Sequence, residues 1–225
     1  MWTNYKLKKH NMANYTYKLE NGEYVFYKDD KVLKTPNDVV VKTNKEELAK
    51  TLLTNLEHKM GYSAPFSLLT YHYTYCNLEA QYDLNFIADD FSNCVDYESL
   101  MNDDYLMFRQ PSPVRQAIAQ FFAKELPENF HNYNLYQLTA ILVIHSAFNS
   151  WMLSQYIIAD IIEPLYDDED ADLESLEEEF LDDLEEFECE EFGCDPEDET
   201  YIRHCEDIKN TITSFLYYFT LENRD

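Results

Sequence analysis

The chain has 225 residues, of which 45% are hydrophobic and 16% aromatic, and it contains only 3 glycines and 7 prolines. This composition can bury a hydrophobic core and is unlike that of a disordered or loop-rich protein. The formal net charge of -27 opposes binding to nucleic acid or to anionic lipid, because both carry negative charge.

The charge is unevenly placed along the sequence. Eleven of the seventeen basic residues lie among the first sixty, against eight carboxylates there, and no lysine or arginine occurs between Lys124 and Arg203. The acidic remainder favours a basic protein surface as a partner, or serves solubility alone. The five cysteines are odd in number and irregularly spaced, which predicts no disulfide framework and a reducing compartment.

Residues 15–43 predict β-structure. Asn21 and Gly22 stand between two aromatic-rich runs, which is a strong signal for a β-hairpin. Two short strands are expected at residues 32–33 and 39–41, with a turn at 36–38 between them. The small sheet is therefore predicted to close before residue 44.

A helix is predicted next, because the apolar residues then recur with a period of three to four. Asn44 and Glu47 form a possible capping pair, and Gly61 stands where the helix should end. The apolar stripe consists of Leu48, Leu52, Leu56 and Met60. Residues 63–77 are compatible with either a helical or an extended segment, and residues 79–107 predict a short helix and a strand at 105–108.

Everything beyond Pro113 predicts helices. The expected helices span residues 114–124, 135–162, 173–192 and 196–221, with an acidic loop at 167–172. The apolar segment 135–162 is interrupted by polar residues and its longest apolar run is far shorter than the roughly 20 residues that a membrane span requires. It is interpreted as a long, buried central helix, and no membrane insertion is expected.

These elements predict an α+β fold. A small β-rich N-terminal domain, residues 1–105, is expected to carry one helix after its strands. An all-helical C-terminal domain, residues 106–225, is expected to contain the long central helix and the acidic amphipathic helices.

Three groups of side chains could carry chemistry, and none predicts an enzyme. The spacing of Cys189, Cys194, His204 and Cys205 does not fit the paired ligands of structural zinc sites. His72 and Cys76 could form a nucleophile pair, but no third orienting residue stands near them, so a packing role is expected. His145 is expected to be buried and hydrogen-bonded. No catalytic residue, cofactor or metal is predicted, and a carboxylate-based, metal-dependent enzyme is kept as a remote alternative.

Several motifs resemble the assembly-factor family that chaperones the alpha subunit of the ATP synthase catalytic head in mitochondria and alphaproteobacteria. The N-terminal motifs are Asp30 to Pro36, DKVLKTP, then Thr43 to Ala49, TNKEELA, and the pairs Leu69-Thr70 and Cys76-Asn77. The C-terminal signature is Glu185-Glu186-Phe187 followed by Phe192-Gly193. Here Phe192 takes the place of the family's tryptophan, and Asn55-Leu56 takes the place of its Glu-Trp, which marks a divergent member.

The resemblance implies an ATP-independent chaperone that holds the free alpha subunit until a beta subunit replaces it. The implied partner-binding residues lie at the end of the first acidic helix. They are Glu185, Glu186, Glu190, Glu191, Phe192 and Gly193. No cofactor, nucleic acid or membrane partner is expected, and a monomer is expected.

The N-terminal sequence has no apolar core of a secretory signal and no arginine-serine bias of a transit peptide. The cytoplasm of an alphaproteobacterial type of cell is therefore expected, with the mitochondrial matrix as the alternative. A generic acidic module that binds an unrelated basic protein remains the alternative function.

Overall fold

A computed structural model describes residues 14–57, 67–104, 106, 112–167, 171–192 and 199–221. Over these residues the chain is mostly helical, with a small antiparallel sheet near its N-terminus. This is broadly the predicted α+β class. No helix among the described residues is long and apolar enough to cross a membrane.

The predicted hairpin is confirmed. Strands β1 (Tyr15–Glu20) and β2 (Glu23–Lys28) pair in antiparallel register, with Tyr15 opposite Lys28 and Glu20 opposite Glu23. Asn21 and Gly22 connect them with φ angles of 53° and 89°. Both residue types tolerate this left-handed backbone, which matches the right-handed twist of the strands.

The rest of the sheet is shorter than expected. Strands β3 (Lys31–Val32) and β4 (Lys42–Thr43) both pair with β2. The strand expected at 39–41 is therefore shifted, and only a single bridge joins Val40 to Lys34. The expected turn at 36–38 is present between them, closed by the Thr35 amide, which donates to the Val39 carbonyl at 2.8 Å.

Helix α1 (Glu46–Glu57) begins two residues after Asn44, the predicted cap. The Thr43 hydroxyl instead accepts a hydrogen bond from the Lys45 amide at 3.2 Å. The apolar stripe is as predicted over its described part, since Leu48, Leu52 and Leu56 are buried. The end of the stripe, Met60, and the expected stop at Gly61 lie outside the described residues.

Three helices follow. The first occupies much of the segment that the sequence left open as helical or extended, and the other two lie where the sequence predicts one helix and a strand. They are α2 (Leu68–Gln81), α3 (Leu84–Cys94) and α4 (Tyr97–Asn102). Asp83 caps α3 by accepting from the Phe86 amide, and Asp96 forms a capping box with Ser99 on α4. Of the strand expected at 105–108, only Leu106 is described, and it lies in a turn.

The prediction of a single long central helix at residues 135–162 is wrong. After α5 (Ser112–Asn129) the chain forms α6 (Leu135–Phe148) and α7 (Trp151–Ile157), a π-helical segment (Ile158–Ile162) and α8 (Glu163–Asp167). Asn149 adopts a left-handed conformation, φ 50°, which ends α6. The Ser150 hydroxyl then accepts from the Leu153 amide at 3.0 Å and starts α7.

The last two helices are α9 (Leu173–Phe192), with the predicted bounds, and α10 (Glu199–Phe219). Helix α10 packs against α2 and α6, and α1 packs against β1 and α2. Buried side chains of the sheet and of these helices form one core cluster, to which Phe26, Leu48, Ile141 and Phe215 all belong. The division into domains 1–105 and 106–225 stays a prediction.

Candidate functional site

The N-terminal half of α9 is fixed to the helical body. Asp172 caps it, since its carboxylate accepts from the Ser175 amide at 3.0 Å and from the Ser175 hydroxyl at 2.9 Å. These hydrogen bonds hold the pKa of the Asp172 carboxyl below its ordinary value. The helix start is therefore defined even though the preceding loop is acidic.

The apolar side of α9 faces the protein core. Leu173, Leu176 and Phe180 are partly buried against it, and the helix contacts the π-helical segment and α10. Glu177 also accepts a hydrogen bond from the Thr213 hydroxyl of α10. The opposite side is exposed and acidic, with Glu178 and Asp182 in solvent.

The predicted partner-binding residues lie further along α9 and just beyond it. In the sequence, residues 185 and 186 follow Asp182 by three and four positions. Glu190, Glu191 and Phe192 lie in the last turn of α9. The side chains of these five residues, and Gly193 altogether, lie outside the described part of the structure. The helix carries eleven carboxylates and no basic residue among its twenty positions.

The His72–Cys76 pair lies at the centre of the core, under the sheet. Helix α2 places both side chains on one face, and the Cys76 sulfur is 3.6 Å from His72 Nε2. His72 Nε2 is 3.0 Å from the Lys42 carbonyl of β4, and Nδ1 is 3.0 Å from the Tyr218 hydroxyl of α10. The imidazole thus joins the sheet to α2 and to α10.

These partners determine the state of the imidazole. Because a carbonyl only accepts, Nε2 carries the proton and donates to Lys42, while Nδ1 accepts from the Tyr218 hydroxyl. His72 is fully buried, and burial lowers its pKa to about 4 although the Lys42 carbonyl acts in the other direction. The imidazole is therefore neutral at neutral pH.

The neighbouring thiol is equally unsuited to nucleophilic attack. Burial raises the pKa of Cys76 to about 11, and the nearby Glu79 carboxylate adds to the shift. A catalytic Cys–His pair needs a thiolate stabilised by a charged imidazole. Here both groups are neutral and enclosed by Tyr75 and Tyr218, which is the geometry of a packing role.

Alkylation of the native protein with iodoacetamide distinguishes these roles. We expect Cys94, which is exposed, to react at least about tenfold faster than Cys76, because Cys76 is buried and remains protonated. Mass spectrometry of the digested protein gives both rates from one sample. In urea the two rates should converge, and a native Cys76 that reacts as fast as Cys94 would contradict the packing role.

A second buried group, Asp104, lies where α6 and α7 meet and was not predicted. Its carboxylate accepts from the Ser150 hydroxyl at 2.8 Å and from the Met152 amide at 3.0 Å. Burial raises the pKa of Asp104, and these hydrogen bonds act against the rise. The sequence feature that could have indicated this junction is the pair Asn149-Ser150 inside an otherwise apolar run. Asn149 is suited to a left-handed helix end, and Ser150 is suited to cap the next helix.

His145 differs from its prediction. It is only partly buried, and its ring stacks on Trp151 with 3.9 Å between the centroids. Its Nδ1 atom has no solvent exposure and no hydrogen-bond partner among the described residues. Burial lowers the pKa of His145, so this ring is also neutral at neutral pH.

The cysteine- and histidine-rich segment near the C-terminus provides no described metal site. Cys205 is partly exposed on α10, Cys189 and His204 have side chains outside the described part, and Cys194 is outside it altogether. Among the described residues, no three metal-ligating side chains are grouped closely enough to hold an ion.

Comparisons with known proteins identify no relative of this chain. No protein-family model, no curated protein and no solved structure matches the chain.

Proposed function

We propose that this chain is an ATP-independent assembly chaperone for the alpha subunit of the ATP synthase catalytic head. It binds the free alpha subunit and covers its interface until a beta subunit takes its place. An obligate subunit interface is large and apolar, so a free subunit associates with itself unless that surface is covered. The proposed compartment is the one in which the synthase is assembled, the bacterial cytoplasm or the mitochondrial matrix.

The single observation that carries the proposal is the acidic side of α9. This helix is fixed at its N-terminal half by Leu173, Leu176 and Phe180, and its other side presents carboxylates without a basic residue to neutralise them. Electrostatic complementarity of this kind accelerates encounter with a basic surface while adding little buried apolar area. A chaperone needs that combination, because its client must be released.

The positions of two family-like motifs support the proposal. The Thr35 hydroxyl of the LKTP segment donates to the Asn77 side-chain carbonyl at 2.7 Å, so the motifs at 30–36 and 76–77 contact each other. Thr35 is buried and its hydroxyl also accepts from the Val39 amide at 3.3 Å. Both motifs therefore have a shared structural role in fixing the sheet to α2.

Co-expression with the alpha and beta subunits of the same organism's ATP synthase tests the proposal directly. A tagged chain should retain the alpha subunit in soluble form, and added beta subunit should release it. Failure to retain the alpha subunit at both low and moderate salt contradicts the proposed client.

Charge reversal tests the role of α9. Changing Glu185, Glu186, Glu190 and Glu191 to lysine should lower the association rate constant with the alpha subunit by about tenfold or more at low salt and flatten its salt dependence. Stopped-flow or surface-binding kinetics give both quantities. Circular dichroism of the variant should show the same helical content as that of the parent.

A matched control separates specific steering from the effect of net charge. The second variant carries Glu57→Lys, Asp89→Lys, Glu128→Lys and Asp167→Lys, four exposed carboxylates on other helices, and has the same net charge. Under the proposal this control keeps an association rate close to that of the parent. An equal decrease in both variants would favour the alternative, a generic acidic module.

A further inference from the structure

A cavity of about 440 Å³ lies at the break between α6 and α7, where α3 and α4 complete its walls. Its floor is aromatic, with Phe91 and Trp151 both buried. Two carboxylates, Asp90 and Asp103, stand at its exposed rim. The His145 ring stacks on Trp151 in the same wall.

The charges of this lining select the class of ligand. The residues described around the cavity include two carboxylates and no lysine or arginine, which opposes an anionic ligand. A neutral apolar ligand would displace water from the two carboxylates without replacing its hydrogen bonds. A metal ion lacks a suitable ligand group among the described residues. An organic cation with several N–H donors satisfies the remaining requirements.

A guanidinium group fits this lining better than an ammonium group. It is planar and weakly hydrated, it pairs with carboxylates through several N–H donors, and it is attracted to aromatic rings. Asp90 and Asp103 are exposed, so the cavity opens to solvent and a side chain attached to another molecule can enter it.

We propose that the cavity between α3, α4, α6 and α7 binds the guanidinium group of an arginine side chain presented by a partner protein. The carboxylates of Asp90 and Asp103 pair with the charge at the rim, and Phe91 and Trp151 form the aromatic wall beside it. This site is separate from the acidic side of α9 and does not depend on the chaperone role.

Tryptophan fluorescence of the full chain tests the proposal. The chain contains two tryptophans, so Trp2→Phe leaves Trp151 in the cavity wall as the only tryptophan. The probe is the peptide acetyl-Gly-Arg-Gly-amide, titrated at about 0.15 M salt to screen distant charges. We expect a saturable fluorescence change, and none with the same peptide carrying citrulline, the neutral isostere of arginine.

Variants then locate the binding. Asp90→Asn with Asp103→Asn should raise the apparent Kd of the arginine peptide at least about tenfold, because two charge-assisted contacts are lost. Asp89→Asn is the matched control. It removes a carboxylate from the same helix, but Asp89 faces His131 at 3.5 Å, so its Kd should stay within about twofold of the parent.

Four results would overturn the proposal. They are the absence of a saturable response, equal binding of the citrulline peptide, an unchanged Kd in the double variant, and a response to methylguanidinium as tight as that to the peptide. The last result would assign the cavity to a small guanidinium compound instead of a protein side chain. The outcome is independent of the alpha-subunit pull-down, so either proposal can fail alone.

Discussion

Lowering the pH from 7 to 5 is expected to remove about 2 kcal/mol of stability through His72 alone. In the folded protein its pKa is lowered to about 4 by burial, whereas an unfolded histidine titrates near its ordinary value of about 6.5. The unfolded chain therefore takes up the proton first. The contribution of His72 is complete above the ordinary pKa and is lost as the pH falls toward 4.

The groups around His72 do not share this titration. Burial raises the pKa of Cys76, Tyr75 and Tyr218, so all three remain protonated and neutral between pH 4 and 7. The chain also contains 44 carboxylates, some of which titrate in the lower part of this range. A direct comparison with a variant is needed because those carboxylates contribute to both proteins and cancel.

The measurement is the free energy of unfolding in urea for the parent and for His72→Gln, from pH 7 to pH 5. Glutamine can still donate to the Lys42 carbonyl but does not titrate. The stability difference between the two proteins should shrink by about 2 kcal/mol over this range. His131→Gln is the control for the loss of one histidine side chain, since His131 is exposed. A parallel pH dependence of parent and His72→Gln would contradict the buried, neutral imidazole.

Replacing Asp104 with alanine should destabilise the fold by about 3 kcal/mol. The carboxylate is 2% exposed, and its loss leaves the Ser150 hydroxyl and the Met152 amide buried without their acceptor. Each unsatisfied buried donor costs on the order of 1–3 kcal/mol. Part of this destabilisation is offset, because the variant no longer has to desolvate a buried carboxylate. Urea unfolding measures the total, and Trp151 fluorescence reports whether the start of α7 loosens.

The neighbouring residue provides the control for Asp104. Asp103 is exposed, so Asp103→Ala should change stability by less than about 0.5 kcal/mol. Asp104→Asn keeps one acceptor oxygen and should lie between the two variants. If Asp104→Ala were as stable as Asp103→Ala, the hydrogen bonds at the start of α7 would not contribute to stability.

Local signals explain which elements could be predicted from the sequence. Asn21-Gly22 specifies a hairpin through backbone conformation alone, and the apolar spacing of α9 requires no knowledge of its neighbours. Segment 63–77 is different, because its tyrosines suit a strand as well as a helix. Helix α2 is established by tertiary packing, in which Tyr71 donates to the Thr211 carbonyl of α10 at 3.0 Å, 140 residues away.

The break at Asn149 shows a different limit. An apolar run that continues across a break has the same hydropathy as an unbroken helix. Periodicity alone therefore predicted a single helix spanning residues 135–162. The break is stabilised by Asp104, a residue from a distant turn whose role cannot be read from local spacing. The cavity beside it, with Asp90, Asp103 and Trp151, was not predictable for the same reason. The proposed α9 residues were named from a motif and not from their spatial neighbours.

The hydrogen bond between His72 and Tyr218 also constrains the order of events during synthesis. The two residues are 146 positions apart, and Lys45 similarly donates to the Leu221 carbonyl across 176 positions. At about 5–20 residues per second, the ribosome needs roughly 7 to 30 s to reach Tyr218 after it has added His72. During that interval the face of α2 that α10 will cover has no native partner. The nascent chain is therefore expected to present its own aromatic surface to other proteins before its fold can close.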